Sequence, residues 1–124
     1  MSKTLKQKIG SEGENKASLF LIENGYDIVF RNYRAKGGEL DIVAWHKKNH
    51  NEKTLCFVEV KTRNKNDGSA ERATDKNKLH RLFQAARKYC LENKINTEKT
   101  FIQFEQISVY TDTNECAHYV IPVD

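Results

Sequence analysis

Residues 55–63 read LCFVEVKTR, an apolar strand with a glutamate and a lysine near its end. Its β-branched and aromatic content marks a core strand. Alternation puts Phe57, Glu59 and Lys61 on one face and Val58, Val60 and Thr62 on the other. One face is apolar and the other carries two ionisable groups. A charge held away from water costs several kcal/mol unless it is paired or metal-bound. A whole domain has only about 5–15 kcal/mol of stability. The fold must therefore bring partners to Glu59 and Lys61, and this requirement constrains the chain more than any other feature.

The rest of the sequence divides around that strand. SEGENKASLFLIENG reads as a helix. Ser11 and Glu14 fit a capping box, Ala17, Phe20 and Leu21 a buried stripe, and Gly25 a stop. YDIVFRNYR predicts a strand from about 26 to 34, AKGG a turn, and ELDIVAW a second strand. HKKNHNEK predicts a polar loop and TLCFVEVKTR the third strand, followed by a loop with Asp67 and Gly68. From about 74 to 93 the period becomes helical, with Leu79, Leu82, Phe83, Ala86 and Cys90 on one stripe. Phe101–Tyr110 predicts a fourth strand, and Cys116–Val123 a fifth with Pro122 near its end. The order α-β-β-β-α-β-β implies one α/β domain over 1–124, a mixed sheet with helices on both faces.

Charge is unevenly placed. The chain of 124 residues carries a net +4. Residues 61–94 hold ten Lys/Arg and four Asp/Glu, a net +6, so the remainder is net −2. A local basic segment is what a polyanion partner requires, although a solvated helix face would look the same. No apolar run approaches the roughly 20 residues of a membrane span. The basic start MSKTLKQKI has no apolar segment after it and does not read as a secretory signal. The three cysteines, Cys56, Cys90 and Cys116, show no C-x-x-C spacing. Cys56 and Cys90 fit reduced core positions, and the expectation is a cytoplasmic protein without membrane.

The second strand repeats the anomaly of the third. In GGELDIV, alternation puts Glu39 and Asp41 on one face and Leu40 and Ile42 on the other. An antiparallel hairpin would set Asp41 beside Glu59, with Lys61 adjacent. The plain reading is a cross-strand ion pair contributing ~0–1 kcal/mol. The functional reading is a site for Mg²⁺ or Mn²⁺, which take hard oxygen ligands and usually one or two carboxylates. The two carboxylates are expected to repel each other without a cation. Of three Asp/Glu-x-Lys matches in the chain, Glu14/Lys16 and Glu92/Lys94 fall in predicted helices, where such residues diverge. Only Glu59/Lys61 lies in a strand.

Asp41 with Glu59-Val60-Lys61 resembles the PD-(D/E)XK signature of restriction-endonuclease-like nucleases. The ordered segments GE, GY, RNYR, GELDIVA and FVEVKTR, from about Gly10 to Leu91, resemble the YraN family of presumed endonuclease fold. The resemblance implies a restriction-endonuclease-like sheet, an active site of Asp41, Glu59 and Lys61, and the approach of Glu14 to that site. Glu14 then has two readings, a helix cap or a contact to metal-bound water or substrate. Lys78 matches a lysine of the family's second long helix. Where the family has Arg-Phe-Asp in the fourth strand, this chain has Gln103-Phe104-Glu105, so a positive charge is absent there.

Together these readings predict a metal-dependent nuclease acting on phosphodiester bonds of nucleic acid, with DNA the favoured partner. Asp41, Glu59 and the Val60 carbonyl would hold Mg²⁺ or Mn²⁺, and Lys61 would position water or steady the transition state. Arg34, Arg63, Lys78 and Arg81 are the expected phosphate contacts. A homodimer would supply the two sites needed to cut both strands. The competing reading is a catalytically idle nucleic-acid-binding module on the same fold. His46 and His50 are four apart in a polar segment and make a poor zinc site. Tyr33 and Trp45 fit core or rim positions.

Overall fold

The computed structural model describes residues 5–49, 52–64 and 76–123. His50, the loop residues Asp67 and Gly68, and the expected start of the second helix at 74 lie outside them. The elements are α1 (Leu5–Glu23), β1 (Asp27–Ala35), β2 (Gly38–Asn49), β3 (Glu52–Arg63), α2 (Lys76–Glu92), β4 (Phe101–Tyr110) and β5 (Glu115–Ile121). Their order is the one read from periodicity. The five strands form one sheet in the order β1-β2-β3-β4-β5. All pairings are antiparallel except β3 with β4, whose parallel register runs from Thr54–Phe101 to Arg63–Tyr110. A parallel step requires a crossover, and α2 lies within it. The architecture is α/β and consistent with a restriction-endonuclease-like fold.

Each helix covers one face. Leu82, Ala85, Ala86, Tyr89 and Cys90 of α2 pack with Tyr33, Leu40, Val43, Leu55 and Phe57. Ala17 and Leu21 of α1 pack with Tyr26, Ile42, Ala44, Cys56, Val58, Ile107 and Val109. Phe57 and Val58 thus face opposite helices, as their alternation requires. Burial of each large side chain contributes about 1.5–3 kcal/mol, so the two clusters fix the helices to the sheet.

Three local expectations are corrected. Helix α1 begins at Leu5, so Ser11 and Glu14 lie inside it and form no capping box. Gly13 is buried, and a Cβ there would stand 2.1 Å from Thr62 Oγ1, which is why the helix approaches β3 so closely. Its C-terminus is as expected. Gly25 has φ +86°, its N–H donates to Ile22 O and the Tyr26 N–H to Leu21 O, a Schellman closure. The polar segment after Trp45 is strand, since β2 continues to Asn49 and β3 begins at Glu52.

The third correction concerns faces. Leu40 packs on the α2 side, but Ile42 packs on the α1 side. Residues two apart in a regular strand share a face; here they do not. The partner strand changes at the same level: Tyr33 faces α2, while Arg31 reaches Glu14 and Asn15 of α1. Between them Asn32 holds a left-handed φ of 57°, a conformation asparagine tolerates better than most residues. Both strands switch faces together, at the level of Asp41.

Buried Glu105 has a structural setting on the α1 side. It is fully buried. It accepts from Tyr26 Oη at 2.7 Å and from Gln103 Nε2 at 3.0 Å, and it contacts His118 Nε2. Gln103, at the place of the missing arginine, is therefore one of the groups that satisfy this carboxylate.

Candidate active site

The pairing of β2 with β3 ends at Ile42–Val58. Beyond that point β2 stays on β1 down to Gly38, and β3 stays on β4 out to Arg63. The hairpin therefore forks. One further step in the same register would place Asp41 opposite Glu59. Instead of a strand carbonyl, the Asp41 carboxylate receives the Val60 N–H, with Oδ2 2.8 Å from the nitrogen. An extended residue turns its N–H and C=O to the same side, so the Val60 carbonyl also faces the fork.

A cavity of about 650 Å³ opens there, lined by Arg34, Gly37, Gly38, Glu39 and Asp41 from the β1–β2 side, Glu59 and Val60 from β3, and Lys78, Arg81 and Leu82 from α2. Gly38 allows α2 to sit over the fork. A Cβ on it would lie 2.1 Å from the Arg81 carbonyl oxygen, which is backbone and unable to swing aside.

Charge in the site is unevenly satisfied. Glu59 is 8% exposed and Lys61 is 4% exposed. Glu59 Oε1 lies 2.8 Å from Lys78 Nζ and 3.7 Å from Lys61 Nζ. Its other oxygen, Oε2, is buried and has no hydrogen-bond partner among the described residues. Burial pushes the Asp41 carboxyl up to about 7, against the lowering effect of the Val60 N–H; Glu14, Glu59 and Glu39 add to the rise. Burial brings the Lys61 ammonium down to about 8, helped by Lys78 and opposed by Glu59. Lys78 moves upward: burial lowers it, but its bonds to Glu59 and Lys61 outweigh that. The expected repulsion is thus felt by Asp41, while Glu59 is answered by two ammonium groups.

Asp41, Glu59, Val60, Lys78, Arg81 and Arg34 share one cavity, with Lys61 against Glu59. Glu14 approaches Asp41 closely enough to raise its pKa and is ion-paired with Arg31 at 3.5 Å. Arg63 is elsewhere. It lines a second cavity of about 510 Å³ on the α1 side, with Lys16, Thr62 and Thr111. Strand alternation returns Arg63 to the face of Lys61, and its guanidinium folds back to donate to Thr62 O at 3.0 Å. Among the described residues, no three His, Cys, Asp or Glu side chains are gathered as a metal cluster. His46 instead meets Asn24 O at 2.9 Å and stacks on Tyr26.

The family model described as Uncharacterised protein family UPF0102 matches residues 13–109. The chain belongs to the UPF0102 family. This is the YraN family of the motif resemblance. A UPF0102 protein of Koribacter versatilis is 41% identical over 111 residues, 85% of this chain and 70% of the relative. One from Caldicellulosiruptor bescii is 36% identical over 108 residues, 86% and 85% of the two chains. One from Caldanaerobacter subterraneus is 34% identical over 111 residues, 89% and 85%. The matched span of this UPF0102 chain contains the whole fork. It also contains Arg31, whose pairing with Glu14 had no local sign in the sequence; a polar residue in a weakly alternating strand offers none. No helix among the described residues is long and apolar enough to cross a membrane.

Proposed function

We propose that this UPF0102 protein is a metal-dependent nuclease that hydrolyses phosphodiester bonds, DNA being the favoured substrate. The observation that carries the reading is the forked hairpin. It holds an Asp41 carboxylate with a raised pKa beside a buried Glu59 oxygen that has no partner among the described residues. Both features disfavour the site as it stands, and a cation would relieve both.

The donors present fit Mg²⁺ or Mn²⁺. Asp41, Glu59 and the Val60 carbonyl are hard oxygens, and two carboxylates are the usual protein share for Mg²⁺. When bound, such an ion would polarise the phosphodiester and acidify water. The Val60 N–H fixes the rotamer of Asp41. Lys61, with its pKa near 8, is poised at neutral pH to hold attacking water or to offset charge on the phosphorus oxygens. Arg34 and Arg81, which line the cavity from β1 and α2, would take flanking phosphates. Hydrolysis adds water across the P–O bond, leaving one phosphate monoester end and one hydroxyl end.

The Lys78–Glu59 pair favours a second reading, a binding module in which an ammonium permanently neutralises Glu59. Incubation of radiolabelled duplex and single-stranded DNA with wild type, Asp41→Asn and Lys61→Ala, in Mn²⁺ and in EDTA, separates the two. The nuclease reading expects Mn²⁺-dependent cleavage lost in both variants. Retarded but uncut DNA under every condition would favour the binding module.

A further inference from the structure

Lys78 Nζ is 2.8 Å from Glu59 Oε1, and it comes from a different element. Lys61, on the same strand face as Glu59, stands farther off at 3.7 Å. Lys78 is the more exposed of the two lysines, with 39% of its side chain accessible against 4%. Lys61 is fixed by burial, whereas Lys78 has room to turn towards solvent. The site thus has one resident ammonium and one that can leave.

We infer that Lys78 is a latch on Glu59: in the free protein its ammonium holds Oε1 and opposes a divalent cation at the neighbouring Oε2, and a nucleic-acid phosphate in the cavity draws it away. This rests on the nuclease reading and deepens it. A cation at Oε2 and the Lys78 ammonium at Oε1 repel each other across one buried carboxylate, so the metal and the Lys78 pair compete for Glu59. A backbone phosphate offers Lys78 an alternative anion within the same cavity, beside Arg34 and Arg81. Phosphate and metal then bind with positive coupling, and that coupling is reciprocal. Lys78 acts through Glu59 and is a positioning residue. The device keeps the cation site closed until substrate is present.

Mn²⁺ binding to the full chain, read from loss of the free-ion electron paramagnetic resonance signal, tests this. The proteins compared are wild type, Lys78→Met, Arg81→Ala and Asp41→Asn. Lys78→Met keeps an aliphatic stem against α2 and removes only the ammonium, and a thermal melt verifies its fold. It should bind Mn²⁺ roughly tenfold tighter than wild type, the scale of one charge-assisted hydrogen bond no longer displaced. That gain should persist at high salt. Arg81→Ala removes a charge from the same cavity without freeing Glu59, so any gain it shows should fade as salt screens it. An uncleavable phosphorothioate DNA duplex should tighten Mn²⁺ binding to wild type until it matches Lys78→Met. Unchanged or weaker Mn²⁺ binding by Lys78→Met, with Asp41-dependent binding intact in wild type, overturns the latch and leaves the nuclease reading standing. Binding absent from every protein, or indifferent to Asp41→Asn, overturns both.

Discussion

At the scale of single residues, the fork sets the behaviour of two carboxylates. Asp41 in the folded apoprotein has a pKa of about 7, against an ordinary value of 3.8. The folded state therefore binds this proton more tightly than the unfolded state. Its stabilising effect is complete below about pH 4 and is lost as pH rises to about 7. Asp41→Asn should flatten the apoprotein's stability across that window, removing a decline of roughly 2–4 kcal/mol. Urea melts of both proteins at several pH values, in EDTA, measure it; parallel declines would refute the shift. Neutralising Glu59 costs stability by another route. Among the described residues it is the carboxylate paired with Lys61, which is 4% exposed, so Glu59→Gln strands a buried ammonium. The apoprotein should lose roughly 1–3 kcal/mol, seen as a lower melting temperature in EDTA. The same change should abolish stabilisation by Mn²⁺, because a ligand stabilises a fold only as far as it binds.

At the scale of elements, two glycines seat the two helices, and they should respond differently to the same methyl group. Gly38→Ala sets a Cβ against the Arg81 carbonyl, so α2 must lift off the fork, at roughly 1–3 kcal/mol. Gly13→Ala meets the Thr62 side chain, with only its hydroxyl in hard overlap. Pairing it with Thr62→Ala should recover most of the loss, and chemical denaturation of the three variants checks this. The strands, the second helix and the shared position of Asp41, Glu59 and Lys61 were legible because period and composition are local properties. The fourth strand was read at its observed bounds, since an apolar run meets turn residues at both ends. Helix α1 was read too short because a Ser-x-x-Glu pattern reads as a start even where the helix already exists. The face switch between Leu40 and Ile42 was not legible. It depends on Asn32 adopting a left-handed backbone, which packing on both sides sustains. Lys78 was read as a phosphate contact, but its bond to Glu59 joins elements separated by the crossover and leaves no pattern in the chain. Strand position puts Arg63 beside the site, and it does act on the Lys61 ammonium, while its side chain lines the second cavity.

For the whole molecule, charge and topology decide what approaches the fork. Lys78, Arg81 and Arg34 surround one cavity, whereas Arg63 and Lys16 line another on the far face. If DNA follows the first, the logarithm of its affinity should fall with the logarithm of salt, by about 0.9 per neutralised phosphate. Lys78→Ala with Arg81→Ala should reduce that slope by roughly two such contacts, while Arg63→Ala should leave it nearly intact; fluorescence anisotropy over a salt series reads both. The same topology also orders events in time. Asp41 and Glu59 sit on antiparallel strands that neighbour each other in sequence, a pairing that is local and fast. Lys78 arrives only with the crossover that sets β4 parallel to β3, a pairing between distant parts of the chain and so a slower one. While the protein folds, the acidic pair is therefore assembled before its lysine. The emerging hairpin should attract cations more strongly than the finished protein, in which Lys78 has reached Glu59.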